Sequence, residues 1–239
     1  MANVLVTGTG REGNLGYCFV LTYLKRGDTV FATVRKPSPP LEKLQEEYPD
    51  TLHIITMDQG STESVRAAAA EVAKHVDCLD TIINNALITS PDYPVHNPLE
   101  DCTLDNFEKA FDVSSVGPLR VIQALQPLLY NNPRTAMVAN ISSGAGCITT
   151  CKNDRDFDYC MIKCAMNMST KILYNKYEAE KKVRVLCMSP GWMRTNAGNA
   201  AAPYDPYVHS EKMRKVFESR RESFDGVVFV DHDNNEVPW

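Results

Sequence analysis

Tyr159 and Lys163 stand four residues apart, a spacing that places both on one face of a helix. A free phenol has a pKa of roughly 10, so an ammonium held beside it favours the ionised form and fits it for acid or base work near neutrality. The spacing alone is common in helices, where a Tyr packs and a Lys is solvated. Ser142 and Ser143 follow an apolar run at 135–141, where either hydroxyl could position a substrate oxygen. Near the start of the chain, Gly8, Gly10 and Gly16 punctuate a turn that also holds Arg11, Asn14 and Leu15. Glycines let the backbone approach a phosphate, and the first N–H groups of a following helix complete the cradle.

These groups need a scaffold, and the pattern supplies one. Residues 3–7 are a short apolar run that ends at Gly8, and 17–26 have helical period up to Gly27. Further strands are expected at 28–34, 52–57, 79–83, 135–141, 183–188 and 227–230, with helices at 41–48, from 61 to about 76, at 103–112 and 113–129, around 159–163, and at 210–223. Strands alternating with helices at this spacing predict an α/β fold, a doubly wound, mostly parallel sheet with helices on both faces. No internal repeat or low-complexity linker interrupts it, so residues 1–239 read as one domain. The helix at 113–129 carries more apolar residues than a core-facing stripe requires, which predicts a second buried face and a homodimer or homotetramer.

Arg35 and Lys36 end the second strand. In a dinucleotide-binding fold the adenosine ribose arrives there, and a cation accommodates a 2′-phosphate where an acid would bond a 2′-hydroxyl. With Arg11 as a second positive charge, the residues favour NADP(H) over NAD(H). Asp58, with Gln59 after it, either caps the helix region beginning near Ser61 and Ser64 or meets an adenine amino group; the pattern leaves both open.

The net charge of −5 argues against a nucleic-acid partner. No apolar run approaches the roughly 18–20 residues of a membrane helix, and no signal segment is visible, so a cytoplasmic location is expected. The eight cysteines contain no C-x-x-C pair and read as free thiols of a reducing compartment, with no metal site.

With these pieces in order, the chain resembles the short-chain dehydrogenase/reductase family over essentially its whole length, and within it the small C-factor-like and fungal ketoreductase-like members. The matching segments are Thr7-Gly8 to Gly16, Asp58, Asn84-Asn85-Ala86, Ser143 with Tyr159 and Lys163, and Pro190-Gly191 to Thr195. The resemblance implies a single Rossmann-fold domain with a seven-stranded sheet, and hydride exchange between NADP(H) and a carbonyl or alcohol carbon. It implies that Tyr159 exchanges a proton with the substrate oxygen, Lys163 tunes it and holds the nicotinamide ribose, and Ser143, rather than Ser142, positions the oxygen. Pro190, Gly191, Trp192, Met193 and Thr195 would lie beside the nicotinamide. A pocket built from Cys147, Trp192 and Tyr204, with Ile148 and Tyr207 nearby, would suit a hydrophobic ketone of aromatic or polyketide type.

Four departures from the family pattern stand out. The cofactor turn is two residues longer than usual and has Asn14 for its middle glycine, which resembles the turn of bacterial enoyl reductases. Leu87 replaces the glycine after Asn-Asn-Ala. Ser114 stands where the family has the asparagine of its proton relay. The segment from Ser143 to Tyr159 is about three residues longer than the common spacing. These leave a rival reading, an NADP(H)-binding enzyme of the same fold that cyclises or isomerises without redox change; a redox-inactive regulatory protein would be expected to lack Tyr159 or Lys163.

Overall fold

The structure is a computed structural model that describes residues 1–88, 98–101, 107–195 and 201–239. Residues 89–97, 102–106 and 196–200 lie outside these, the start of the helix expected from 103 among them.

Seven strands, Asn3–Thr7 (β1), Thr29–Val34 (β2), Leu52–Thr56 (β3), Thr81–Asn84 (β4), Ala136–Ile141 (β5), Val183–Ser189 (β6) and Phe229–Asp231 (β7), form one sheet. Its order is β3-β2-β1-β4-β5-β6-β7, and these strands pair with their neighbours in parallel throughout. Among the described residues seven α-helices accompany it: Leu15–Lys25 (α1), Pro39–Glu47 (α2), Thr62–Val72 (α3), Phe107–Phe111 (α4), Gly117–Tyr130 (α5), Phe157–Glu178 (α6) and Pro206–Arg220 (α7).

Alternation along the strands sorts the core into two layers. Val4 and Val6 of β1 face a cluster with Phe19 and Val20 of α1, Leu41 of α2 and Phe217 of α7. Leu5 between them faces a cluster with Val65 of α3, Val121 and Leu125 of α5 and Tyr177 of α6. Strand order reverses where β1 meets β4, and the carboxyl ends of strands at such a reversal leave a crevice for a ligand.

Several boundaries differ from expectation for local reasons. The last helix begins at Pro206 because the Asp205 carboxylate accepts hydrogen bonds from the Tyr207 and Val208 N–H groups, both at 3.0 Å. Ser61 caps α3 through the Ser64 N–H, while the Ser64 hydroxyl takes the Asp58 N–H. The two helices expected on either side of residue 112 are joined without a break by one π-helical turn, Asp112–Val116. The apolar surplus of α5 is consumed within the chain: Val121, Ile122, Leu125, Leu128 and Leu129 are all buried in the second core layer. That removes the stated reason for expecting a partner on α5.

Below the site, α6 is bound to the end of β5 by polar groups that sequence patterning missed. Asn140 donates to the Thr170 hydroxyl at 2.9 Å and accepts from Asn84 at 2.8 Å. Ser142 donates to Asn167, which in turn donates to the Gly146 carbonyl at 3.0 Å. Gly146 itself rides so close to α6 that a Cβ there would stand 2.6 Å from the Lys163 carbonyl carbon. Gly146→Ala must therefore push backbone against backbone. It should cost about 1–3 kcal/mol of unfolding free energy, measured by urea denaturation, and an unchanged midpoint would contradict this packing.

Candidate active site

The turn after β1 is wound tightly. Gly8 has φ +72°, and a Cβ on it would meet the Ala86 Cα at 2.6 Å. The Thr7 hydroxyl accepts the Asn85 and Ala86 N–H groups at 3.0 and 2.9 Å, and the Asn85 amide donates to the Thr7 and Gly8 carbonyls. The ends of β1 and β4 are thus tied by side chains after their ladder has ended. Gly16 sits beneath this knot, where a Cβ would lie 2.4 Å from the Gly8 carbonyl oxygen. Ser38 and Thr9 anchor the outer part of the turn to Gly10 and Thr33.

A cleft of about 520 Å³ opens over these strand ends. Of the residues expected to hold a cofactor, Gly8, Gly10, Arg11, Asn14, Leu15, Arg35, Asp58, Gln59, Asn85, Ala86 and Thr195 line it together. Lys36, read with Arg35 as a cation at the strand end, lines it too, as do Met57, Leu87, Ile88 and Val113, which were not expected to; the apolar members become visible only when the strand ends are assembled side by side. Leu87 takes an ordinary negative φ and presents its side chain to the cleft, 37% exposed. Gln59 is mostly structural, its amide donating to the Ala86 and Val113 carbonyls. Asp58 accepts the Gly60 N–H at 2.9 Å within its own turn and still borders the cleft.

These residues fit a dinucleotide. The turn has no room for a Cβ at Gly8 or Gly16, and Asn14 does not cap α1 with its side chain, which leaves the helix N-terminus to an anion. Arg11, Arg35 and Lys36 are exposed at one end of the cleft, and among the described residues no ion pair engages any of the three.

At the end of β5 the two serines separate by role. Ser142 is buried and donates to Asn167 at 2.5 Å. Ser143 is half-buried, caps the short turn Gly144–Gly146 by accepting the Ala145 N–H at 3.1 Å, and hydrogen bonds the Tyr159 side chain. Lys163 is buried, with its ammonium donating to the Ile141 carbonyl at 2.7 Å and lying 5.7 Å from the centre of the Tyr159 ring. Ser143, Tyr159 and Lys163 are therefore brought together around the end of one strand.

Their electrostatics differ from the expectation that the ammonium would lower the phenol. Burial pushes the Tyr159 phenol above its ordinary 10, and the Ser143 hydrogen bond opposes that only in part. Burial also drives Lys163 down to about 8. Desolvation acts on both partners and outweighs their mutual effect.

Other expected residues take different places. Ser114 is fully buried in the π turn, where its hydroxyl donates to the Ile88 carbonyl at 2.7 Å and accepts the Ile88 N–H at 2.9 Å. Its one proton is committed, so it holds the chain after β4 in place. Ser115 next to it ties the π turn to the Ile162 carbonyl of α6. Cys147, expected in the pocket, is buried against Cys187 and Phe229 with its thiol on the Pro238 carbonyl. Tyr204 also turns away from that role. Its ring stacks within 5 Å of His209 and His232 (4.5 and 4.8 Å between centroids) and supports Gly191, whose φ of +80° leaves no space for a Cβ beside it. Tyr207 lies under the Lys25 ammonium. Pro190 and Gly191 follow β6, Met193 is buried and bridges to Tyr204, and Trp192 between them is 54% exposed.

A family model described as enoyl-(acyl carrier protein) reductase matches residues 8–222, and relatives that carry the short-chain dehydrogenase name match as well. The chain belongs to the short-chain dehydrogenase/reductase family. A short-chain dehydrogenase/reductase from an Arthrinium species is 26% identical over 244 residues, covering 97% of this chain and 88% of that one. The C-signal protein of Myxococcus xanthus is 28% identical over 161 residues, covering 67% of this chain and 93% of its own. Among solved structures, an NADPH-bound carbonyl reductase from chicken fatty liver superposes with a TM-score of 0.88 at 28% identity, over 100% of this chain and 99% of that one. The resemblance read from the motifs is thus a family membership, and the Rossmann fold is that of this short-chain dehydrogenase/reductase.

Burial of Lys163 has a consequence for stability. Its folded pKa of about 8 lies below the roughly 10.4 of an unfolded lysine. Below pH 8 both states are protonated and burial of the charge opposes folding. Between these values only the unfolded state holds the proton, so stability rises with pH across that window. Lys163→Met should be the more stable protein at pH 7, by on the order of 3 kcal/mol. The advantage should fade as denaturation is repeated from pH 8 towards 10; a pH-independent difference would show that the ammonium is not desolvated.

Proposed function

We propose that this enzyme is an NADP(H)-dependent carbonyl reductase, or in reverse an alcohol dehydrogenase, acting on a hydrophobic small molecule of aromatic or polyketide type, as in secondary metabolism. The observation that carries this reading is the meeting of the Tyr159 and Ser143 side chains beside buried Lys163, next to a cleft with three cations at its ribose end that no ion pair among the described residues engages. The NADPH-bound carbonyl reductase that superposes on the chain supports it.

When bound, NADPH supplies the hydride. The chain's own residues manage the oxygen. A phenol held above its ordinary pKa is protonated at neutral pH, so Tyr159 stands ready as the donor to a carbonyl oxygen, and Ser143 offers a second hydrogen bond to the same atom. Lys163, close to its pKa, is charged in part; as negative charge develops on the Tyr159 oxygen the ammonium form is favoured, which stabilises the phenolate. Arg11, Arg35 and Lys36 would hold a 2′-phosphate, and Asp58 would border the adenine. Exposed Ile148 and Trp192 give the substrate side its apolar character, a part that Cys147 and Tyr204 do not play.

An NADPH-oxidation screen over aromatic and polyketide-type ketones should find turnover that NADH supports poorly. Tyr159→Phe should lower kcat by ~10²–10⁴ while NADPH still binds. Equal use of NADH would remove the role of the three cations, and an active Phe variant would remove Tyr159 as the acid.

We further place self-association, as a homodimer or a homotetramer built from it, on the face of α4 and α6, where Phe111, Met161, Met168 and Ile172 are all exposed. A cavity of about 380 Å³ between Phe107, Phe111, Val116 and Met161 adds to that apolar surface. Sedimentation should show a dimer or larger, and a monomer at micromolar concentration would rule this surface out. No helix among the described residues is long and apolar enough to cross a membrane, and a cytoplasmic location with no nucleic-acid partner accords with the reading.

A further inference from the structure

Four cysteines flank the catalytic pair in two sets spaced i, i+4. Cys147 and Cys151 lie on the segment after Ser143, and Cys160 and Cys164 directly follow Tyr159 and Lys163 on α6. All four are free thiols, but their surroundings differ. Cys147 is buried and donates to the Pro238 carbonyl. Cys151 is exposed on a stretch whose residues 151–155 all face solvent. Cys160 is half-buried at the first turn of α6, its N–H bonded to the Asp156 carbonyl at 2.9 Å.

The exposed stretch already folds back onto Cys160. The Asn153 amide, two residues beyond Cys151, donates to the Cys160 sulfur at 3.1 Å, and the Arg155 carbonyl lies 4.0 Å from the same atom. Charge on Cys151 reaches both Cys160 and Cys147, raising their pKa values further after burial has done so. Among the described residues Thr149 bonds the Trp239 carbonyl, and the Cys151 N–H makes a long 3.4 Å bond to the Ile148 carbonyl. Among the described residues no group of three or more Cys, His, Asp and Glu side chains is arranged to hold a metal ion, so the four sulfurs are not a ready cation site.

We propose that Cys151 and Cys160 form a reversible redox pair, which a peroxide oxidises to a disulfide that closes the segment between them at the edge of the active site and slows turnover. Cys151, open to solvent, meets the oxidant first. Its thiolate attacks one peroxide oxygen, an S–O bond forms, the O–O bond breaks, and with hydrogen peroxide a water leaves. The Cys160 sulfur then displaces the hydroxyl from Cys151. The S–S bond forms as the S–O bond breaks, and the Cys160 proton departs with hydroxide as a second water. The two electrons lost by the sulfurs reduce the peroxide. Burial pushes the Cys160 thiol up, which makes it a poorer first target for peroxide than a thiol open to solvent. A bridge at Cys160 constrains the helical turn that carries Tyr159. Disulfides of this kind in a reducing compartment are typically transient and regulatory.

The chain's own cleavage sites make the pairing readable. Trypsin, cutting after Arg134, Lys152, Arg155, Lys163 and Lys171, places Cys151 in peptide 135–152, Cys160 in 156–163 and Cys164 in 164–171. After mild hydrogen peroxide treatment of the whole protein and blocking of free thiols, non-reducing mapping should show 135–152 joined to 156–163. The link should vanish with dithiothreitol and be missing from Cys151→Ser and Cys160→Ser. A link to 164–171, a link that survives in Cys151→Ser and so runs through Cys147, or no link at all would overturn the pairing. The effect on turnover rests on the reductase reading. NADPH-dependent ketone reduction should fall several-fold on oxidation, recover with dithiothreitol and stay unchanged in Cys151→Ser; turnover untouched by a mapped link would overturn the regulatory role. A reduced protein that turns over no ketone, yet forms the link, counts against the reductase reading and supports the pair.

Discussion

A single buried ammonium sets the terms for this site. Lys163 has left water to lie against the Ile141 carbonyl, at a free-energy cost that shows in a pKa driven down to about 8. Such a group persists only where the surrounding structure leaves it no other position. Here the surroundings are the end of β5 and one face of α6, joined by Ser142 to Asn167, Asn167 to Gly146 and Asn140 to Thr170. The close passage of Gly146 over the Lys163 backbone brings strand and helix near enough for those bonds to form. Ser143 is placed by the same turn, so the position of its half-buried hydroxyl and the burial of the lysine have one structural cause.

The cofactor cleft rests on a separate constraint, the approach of two backbones. Gly8 passes Ala86 at a distance that admits no Cβ, and the Thr7 hydroxyl and Asn85 amide satisfy the polar groups that the ending ladder would leave open. Asn85 therefore earns its place through the turn it holds. Ser114 acts in the same manner on Ile88. A shorter side chain in a π turn can still reach the strand end, because the extra residue of that turn shifts the local helix face. The serine found where the family has asparagine keeps the scaffold intact by another route.

How much of this was legible follows from what local pattern encodes. Strand and helix positions emerged from periodicity, since the inner strands are buried on both faces and helices such as α2 and α3 on one. The glycine turn, Arg35, Ser143, Tyr159 and Lys163 were singled out because their chemistry is tied to residue type and to short spacings. Cys147 and Tyr204 went astray because facing is not a local property. Both lie near the site in sequence, yet Cys147 turns into a small core with Phe229 and Tyr204 into a ring cluster with His209 and His232. The apolar excess of α5 misled for a related reason, because a helix packed between a sheet and α3 needs more than one stripe. Met57, Ile88 and Val113 could not be found at all, as they meet only when distant strand ends are placed together.

The sequence argument for Tyr159 and the geometry of the folded site pull in opposite directions, and the difference is instructive. A nearby cation should lower a phenol, yet both groups are shifted towards their neutral forms. With the ammonium 5.7 Å from the ring centre, its attraction for a phenolate is weaker than the loss of water around each group. That state suits a proton donor awaiting its substrate: neutral phenol above, lysine near its own titration point below. Charge appearing on the tyrosine oxygen would restore the protonated lysine, because each ionised partner lowers the cost of the other. On the proposed reading, in which Tyr159 gives up its proton, the pair acts as a coupled unit whose electrostatic benefit is withheld until the proton has moved, which is when stabilisation contributes to rate and not merely to binding.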